Sequence, residues 1–303
     1  MNDGATMSWS EWGLVIFLSV LWGGSFFFAK VAVVGLPPLT IVFIRFAAAA
    51  LLVLAYVRAQ AIPIPADHRS WAAFAGMGLL NNLVPAGLIV WGQTRIPSGL
   101  AAVIIAMTPV FSILAIRCTS RDERLTVGKL AGMVLGLAGV GVLLRLGATQ
   151  PGHAALPGIA ACLAAAVSYG FANALGKRFR ALGIPPAVGA MGQMATSAAM
   201  ALPLMLAVDR PWRLAAPGIE VWVAMIGLAA LSTALGYVVF FRLLATAGAT
   251  NVSLVTLLIP LSAVLLGSLV LGERVAADQV VGMALIALGL LAIDGRLLRW
   301  RRG

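Results

Sequence analysis

Acidic side chains are scarce. The 303-residue chain holds ten Asp and Glu against 21 Lys and Arg, and charged residues of either sign make up 10% of it, where a soluble domain carries roughly 25%. Apolar residues make up 61%, and the mean hydropathy is +1.02. A water-soluble globular protein is excluded. At about 20 residues per bilayer crossing, ten crossings take roughly 200 residues and leave about ten per connection, too few for an extramembrane domain. The function must sit inside the bilayer.

Other absences narrow it further. The two cysteines, Cys118 and Cys162, offer neither a disulfide framework nor metal-ligand spacing. Both histidines, His68 and His153, fall between apolar runs. Within the runs there are no clustered metal ligands, no paired aspartates and no nucleophile beside a base, which argues against a membrane-embedded enzyme. No GxxxxGK[ST] loop is present, so an ATP-driven pump is not expected. Neither a cofactor nor a metal is expected. The net charge of +11 would suggest nucleic acid in a soluble chain. Here the basic residues fall in short loops, where they act as topology signals, and no nucleic-acid partner is expected.

What remains is apolar sequence in long runs. Ten are expected as helices: Trp12–Val34, Leu39–Val57, Trp71–Trp91, Ser98–Ile116, Val127–Leu144, Ala155–Gly176, Pro186–Ala207, Val221–Phe241, Ala249–Leu271 and Gln279–Ile293. Turn residues separate them, among them Gly35-Leu36-Pro37-Pro38 and Gly183-Ile184-Pro185-Pro186. The first run is longer than a signal-peptide core and lacks a preceding basic region, so it is expected to stay in the mature protein. With the N-terminus placed inside, fourteen Lys and Arg fall on the cytoplasmic side, five outside (Arg95, Arg145, Arg210, Arg213 and Arg274), and Lys30 and Arg45 within runs. The positive-inside rule then puts both termini in the cytoplasm.

The chain also repeats itself. Trp22-Gly23 through Lys30 to Pro38 matches Tyr169-Gly170 through Lys177 to Pro185 at an offset of 147. Gly78 and Gly87 match Gly227 and Gly236 at 149, Glu123-Arg124 and Gly132 match Glu273-Arg274 and Gly282 at 150, and Pro109 matches Pro260 at 151. Five runs per copy is an odd number, so the second copy enters the membrane from the opposite side. The expected fold is therefore all-α and integral to the membrane: ten transmembrane helices in two inverted five-helix repeats, N-in and C-in. Its parts are a cytoplasmic tail at 1–11, a first repeat at 12–146, a second at 147–294 and a basic cytoplasmic tail at 295–303. Inverted repeats recur in carriers that alternate access around a midplane site.

These residues resemble a known family. Leu21-Trp22-Gly23-Gly24-Ser25 leading to Lys30, then Gly35-Leu36-Pro37-Pro38, Arg45-Phe46, Thr108-Pro109, Glu123-Arg124 and Gly132 are similar to the EamA repeat of the drug/metabolite transporter superfamily. Pro260, Gly272-Glu273-Arg274 and Gly282 repeat the same order. The resemblance covers residues 12 to 294 and implies ten helices and export of small metabolites, often amino acids, from a bacterial inner membrane. It leaves the substrate open. Gly192 stands where Arg45 stands in the first repeat, so any role of that arginine is not duplicated.

Two intramembrane cations are candidates by default, because a charge at a helix centre is costly. Lys30 lies near its helix end and fits a snorkelling anchor as well as a cavity residue. Arg45 lies deeper and fits either a cap on carbonyls or a contact to a substrate carboxylate. Asn81, Asn82, Asn173 and Gln193, with Ser232, Thr233, Asn251, Ser253 and Thr256, supply polar groups inside runs; each serves interhelical bonding or cavity lining. Trp22, Trp91, Tyr169 and Tyr237 could stack on a flat substrate. Trp12, Trp71, Trp212 and Trp222 read as interface belt. Pro109 and Pro260 are candidate hinges or fixed kinks, and Gly128, Gly132 and Gly136 form a small-residue packing face.

The expected function is export of amino acids, possible cargoes including aromatic or hydrophobic ones, by alternating access. No acid reaches the midplane, which favours facilitated diffusion over a proton relay. A proton-coupled multidrug exporter is the alternative within transporters, a membrane-embedded enzyme the alternative outside them. The partners are a small-molecule substrate and the lipid bilayer; a monomer is compatible with the sequence, which does not set the oligomeric state.

Overall fold

The structure, a computed structural model, describes residues 8–119, 127–149, 155–274 and 277–294. Glu123-Arg124, His153 and the basic segment 295–303 lie outside the described residues. All regular structure among the described residues is helical. The helices are α1 (Trp9–Ala32), α2 (Pro38–Ala59), α3 (His68–Gln93), α4 (Ser98–Cys118), α5 (Val127–Thr149), α6 (Ala155–Ala181), α7 (Pro186–Asp209), α8 (Ile219–Gly248), α9 (Leu254–Val270) and α10 (Ala277–Asp294). They occupy the ten expected runs. Seven of them, α1 to α4 and α6 to α8, are long and apolar enough to cross a membrane, while α5, α9 and α10 carry shorter apolar stretches. Outward-facing Leu51, Val134 and Leu269, 67% to 81% exposed, suit lipid and not water.

Local chemistry sets the ends. Ser8 opens α1 with a capping box, its hydroxyl accepting from the Glu11 N–H while the Glu11 carboxylate accepts from the Ser8 N–H at 2.8 Å. Asp67 caps α3 by accepting from Ser70 N at 2.9 Å and Ser70 Oγ at 2.7 Å. These bonds to the ionised form hold the Asp67 carboxyl below the usual carboxylate range. Prolines open α2 and α7, where their missing N–H has no intrahelical role. Gly248, at φ +76°, ends α8; an L side chain there would be strained, and the chain turns directly toward α9.

Helices pack through small residues. Water gives no hydrophobic drive between helices within lipid, so close backbone approach has to supply the contact. The most extensive pairings are α5 with α10, α1 with the α8–α9 segment, α2 with α7, and α6 with α3 and α4. Gly132 lies against the Gly289 carbonyl and Gly139 against the Gly282 carbonyl, so α5 and α10 cross antiparallel with no room for a Cβ at any of the four positions. The packing face thus includes Gly139 beside the expected Gly132 and Gly136, the last of which faces Met107. Gly23 of α1 meets Ser262 of α9, and its repeat counterpart Gly170 of α6 meets Phe111 of α4, the counterpart of Ser262.

Two helices carry a widened turn within the helix body, and α7 ends on a third over Met205–Asp209. The backbone is π-helical over Gly78–Leu83 in α3 and over Gly227–Leu235 in α8, matching positions of the two repeats. Pro85 follows the first segment and removes a donor there. The carbonyls that widening releases are taken up by neighbours: Ser197 Oγ donates to Gly78 O at 2.9 Å, and Ser168 Oγ to Leu80 O at 2.7 Å. A different interruption divides α4, which breaks at Ala106–Met107 and restarts at Thr108-Pro109. Thr108 Oγ1 donates back to Ile105 O at 2.6 Å across that break.

Candidate functional site

The two π-helical turns and the break in α4 border one central cavity of about 290 Å³, to which α1, α2, α3, α4, α6, α8 and α9 all contribute. Its wall is mainly apolar, with Phe26, Phe46, Ile105 and Ile259, and carries a limited set of polar groups. That balance is typical of small-molecule sites. A π-bulge turns extra side chains toward one face, and such bulges recur at functional sites. Here the first π segment presents Asn81 and Asn82, the second Ser232 and Thr233.

Arg45 is the one charged residue among the described residues of the wall. Its Nε donates to Thr233 Oγ1 at 3.0 Å, and its guanidinium carbon lies 5.1 Å from the Phe46 ring centre. Thr233 in turn donates to Leu228 O at 2.7 Å, five residues back as the wide turn requires. Among the described residues no carboxylate pairs with Arg45, and no Asp or Glu lines the cavity. Tyr169 and Tyr237 lie close enough to feel its field. Asn81 Nδ2 donates to Gln193 Oε1 at 2.9 Å and reaches Tyr237 Oη at 3.4 Å, which fixes both the amide and the ring. Trp22 stands edge-on to Tyr237 at 6.3 Å and packs on Phe240 at 5.4 Å, so the aromatic wall is rigid. Asn173 Nδ2 donates to Ser112 Oγ at 2.9 Å. Asn82 Nδ2 and Ser232 Oγ are buried with no partner. Native proteins seldom leave such groups unpaired without a reason.

Of the residues expected from sequence, the structure brings Trp22, Arg45, Asn81, Asn82, Tyr169, Asn173 and Tyr237 into the wall, together with Ser232, Thr233 and Thr256. Three others fall outside it. Lys30 instead donates through Nζ to Gln93 O at 2.6 Å and Ile96 O at 3.0 Å, neutralising the carbonyl end of α3. Trp91 turns outward, 38% exposed, with the Arg95 guanidinium stacked 3.8 Å above it. Gln193 sits behind Asn81 as its acceptor. Asn251 donates back across the Gly248 kink to Ala247 O, and the Ser253 side chain lies outside the described residues. Pro109 sits at the break in α4, whereas Pro260 lies in an unbroken helix and lines a separate apolar groove.

Sequence reasoning missed Ser25, Thr108 and Phe46 in the wall. Ser25 lies three residues beyond Trp22, on the same helix face, a spacing that could have found it. Two loop acids prove to be caps. Glu273 accepts from Ser98 N at 2.9 Å and Ser98 Oγ at 2.7 Å, and Asp209 from Thr40 N at 2.6 Å and Thr40 Oγ1 at 2.8 Å. Proline stands at the N-cap of both α4 and α2 and offers no capping side chain, so a distant carboxylate serves each helix start.

A multi-pass helical bundle, built from two repeats around one apolar cavity with a few converging polar groups, defines a polytopic membrane protein with a small-molecule site. The chain belongs to the EamA-like transporter family, whose model matches residues 10–145 and again 156–293. It is 29% identical over 262 residues to the "Uncharacterized inner membrane transporter YedA" of Escherichia coli K12, covering 84% of this chain and 81% of that one. It is 27% identical over 273 residues to the "Uncharacterized transporter YvbV" of Bacillus subtilis, with 84% and 82% covered. The "Probable amino-acid metabolite efflux pump" of Escherichia coli K12 is 28% identical over 184 residues, with 60% and 58% covered. A protein of known crystal structure shares the fold at a TM-score of 0.66 and 22% identity, covering 96% of this chain and 99% of that one.

Proposed function

We propose that this protein is a ten-span carrier of a bacterial inner membrane that exports amino acids or closely related metabolites by alternating access through the central cavity. The carrying observation is the cavity itself, enclosed by helices of both repeats and lined by Arg45, Asn81, Asn82, Ser232 and Thr233 beside Trp22, Tyr169 and Tyr237. The efflux-pump relative favours amino-acid metabolites as cargo.

The two halves are inverted in this reading. Gly132 meets Gly289 and Gly139 meets Gly282, so that each contact maps onto the other when the halves are exchanged at the offset of 150. Exchange of equivalent positions between antiparallel neighbours calls for a two-fold axis perpendicular to both helices, that is, in the membrane plane. An axis along the helices would make equivalent neighbours parallel. The exchange of Gly23–Ser262 for Gly170–Phe111 supports the same axis at a second site. Both termini then lie in the cytoplasm, and Pro109 and Pro260 are matched hinge points.

Among the described residues no carboxylate lines the cavity, which favours cargo moving by facilitated diffusion down its own gradient. Purified protein in liposomes loaded with unlabelled amino acids should take up labelled amino acid by saturable counterflow without nucleotide. Uphill accumulation driven by a pH gradient would overturn the uncoupled mechanism; lack of exchange by folded protein with any amino acid or derived metabolite would overturn the carrier.

A further inference from the structure

We infer that the cavity is built for an organic monoanion with an apolar body, such as a carboxylic acid without an α-ammonium group, and that zwitterionic amino acids are its poorer cargoes. The inference rests on the carrier reading and narrows its substrate class.

Three observations on the wall carry it. The first is charge. Lys30 is engaged at the end of α3, which leaves Arg45 as the one cation among the described lining residues, none of which is acidic. Arg45 is half-buried within an apolar span, where a charge still favours a counter-charge, and here the protein supplies none among the described residues. The second is unused donor capacity. A guanidinium has five N–H groups in a planar fork. Only Nε is engaged, on Thr233, so the edge formed by the terminal nitrogens is open to a two-point contact with a carboxylate. The third is the pair of buried polar groups with no partner. Asn82, 3% exposed, keeps an unpaired amide donor and Ser232, 1% exposed, an unpaired hydroxyl, and both residues line the same cavity. Donors in excess with a fixed positive charge make an anion site.

The same inventory disfavours an ammonium group. In an α-amino acid the ammonium sits one carbon from the carboxylate. Docking the carboxylate on Arg45 therefore holds two positive charges a few ångströms apart in a low-dielectric pocket. No carboxylate lines the pocket to offset that repulsion. A 2-oxo or 2-hydroxy acid keeps the anion, removes the repulsion and adds an oxygen able to accept from Asn82 or Ser232. Trp22, Phe46 and Tyr237 form an apolar and aromatic surface for the remainder of the molecule.

Four probes of one shape separate the charges: phenylpyruvate and phenyllactate as anions, phenylalanine as zwitterion and phenethylamine as cation. In counterflow at pH 7.5 with purified full-length protein, the anions should exchange about tenfold faster at low concentration than phenylalanine, and the amine not at all. Arg45→Gln should lose anion exchange by about tenfold or more while Arg45→Lys, which keeps charge but not the fork, retains part of it. Independently of variant folding, phenylpyruvate should raise the thermal unfolding temperature of the wild type, and phenethylamine should not. Exchange of phenylalanine or phenethylamine at or above the rate of the anions overturns the inference and leaves the carrier reading standing. Absence of exchange with all four probes and with every amino acid overturns both.

Discussion

Position 132 of the first repeat and position 282 of the second are both glycine, and each packs on a glycine of the other helix. Position 45 is arginine and its counterpart 192 is glycine. The first pair sits where two backbones touch; of the second, Arg45 lines the cavity and Gly192 packs behind it on Phe74. Backbone contact tolerates only one answer, so both copies keep it. In the carrier reading proposed above, a cavity shared by both repeats has the opposite need, since a small asymmetric cargo with one charged end requires one cation. Gly192 shows what the second repeat does with the freed position: the Phe74 ring lies 2.5 Å from where its Cβ would stand, so the site is filled by scaffold.

The largest effect is expected from Gly132→Leu. The added side chain would enter the Gly289 carbonyl and Ile293, backbone and side chain that α10 cannot withdraw without separating from α5. Overpacking of a tight site costs about 1–3 kcal/mol and more where backbone is struck. The protein should lose its monodisperse peak in detergent and unfold at a markedly lower temperature. Gly141→Leu on the same helix is the control, because nothing lies within 4 Å of its Cβ position. Equal stability of the two variants would remove the glycine seam from the account of how the repeats join.

A smaller effect, of opposite sign at the two matched positions, comes next. Gly192→Ala meets the Phe74 ring and should cost about 1–3 kcal/mol of stability while leaving the choice of cargo as it is. Arg45→Ala removes a half-buried charge that no carboxylate among the described residues neutralises, together with one hydrogen bond, and should leave stability unchanged or raise it slightly while transport is lost. Thermal unfolding and counterflow on both variants read the two properties separately. Parallel losses of stability at both positions would make Arg45 a scaffold residue like its counterpart.

The sequence carried the repeat and the helices because both are written in residue type. Apolar runs fix the spans, and of the glycines that recur at a steady offset Gly23, Gly78, Gly132, Gly170 and Gly282 lie in backbone contact, whereas Gly227 and Gly236 make room for the Phe28 and Trp22 rings. Trp22 and Tyr169, matched in the two copies, both reach the cavity. Helix phase was harder to read. Along α3 the wall takes Asn82, Ala86, Ile89 and Val90, and Trp91 is one residue further, about 100° around the helix, which turns it to the outside. The π-helical turns within α3 and α8 had no signature, since Pro85 follows one and no proline follows the other. Lys30, Asp209 and Glu273 serve helix ends that are 60 or more positions away. Such pairings depend on which loops the fold brings together, and no local pattern encodes them.

The smallest effect concerns the prolines. They match in sequence and differ in structure, with α4 broken beside Pro109 and α9 continuous through Pro260. Replacing Pro109 by alanine returns an N–H whose usual acceptor, the Ile105 carbonyl four residues back, already receives the Thr108 hydroxyl. Little stability should follow, and the same small change is expected at Pro260, whose helix has adapted to the missing donor. Turnover is the sharper measure. If the halves exchange roles as access alternates, the break moves from one helix to the other, and both prolines act once per cycle. Pro109→Ala and Pro260→Ala should then each slow counterflow by about two- to threefold, with half-saturation unchanged, because a hinge governs the rate of opening and not the fit of the cargo. A slowed Pro109 variant beside a Pro260 variant at the wild-type rate would mean that α4 is simply bent in every state, and the two repeats would differ in motion as they do in charge.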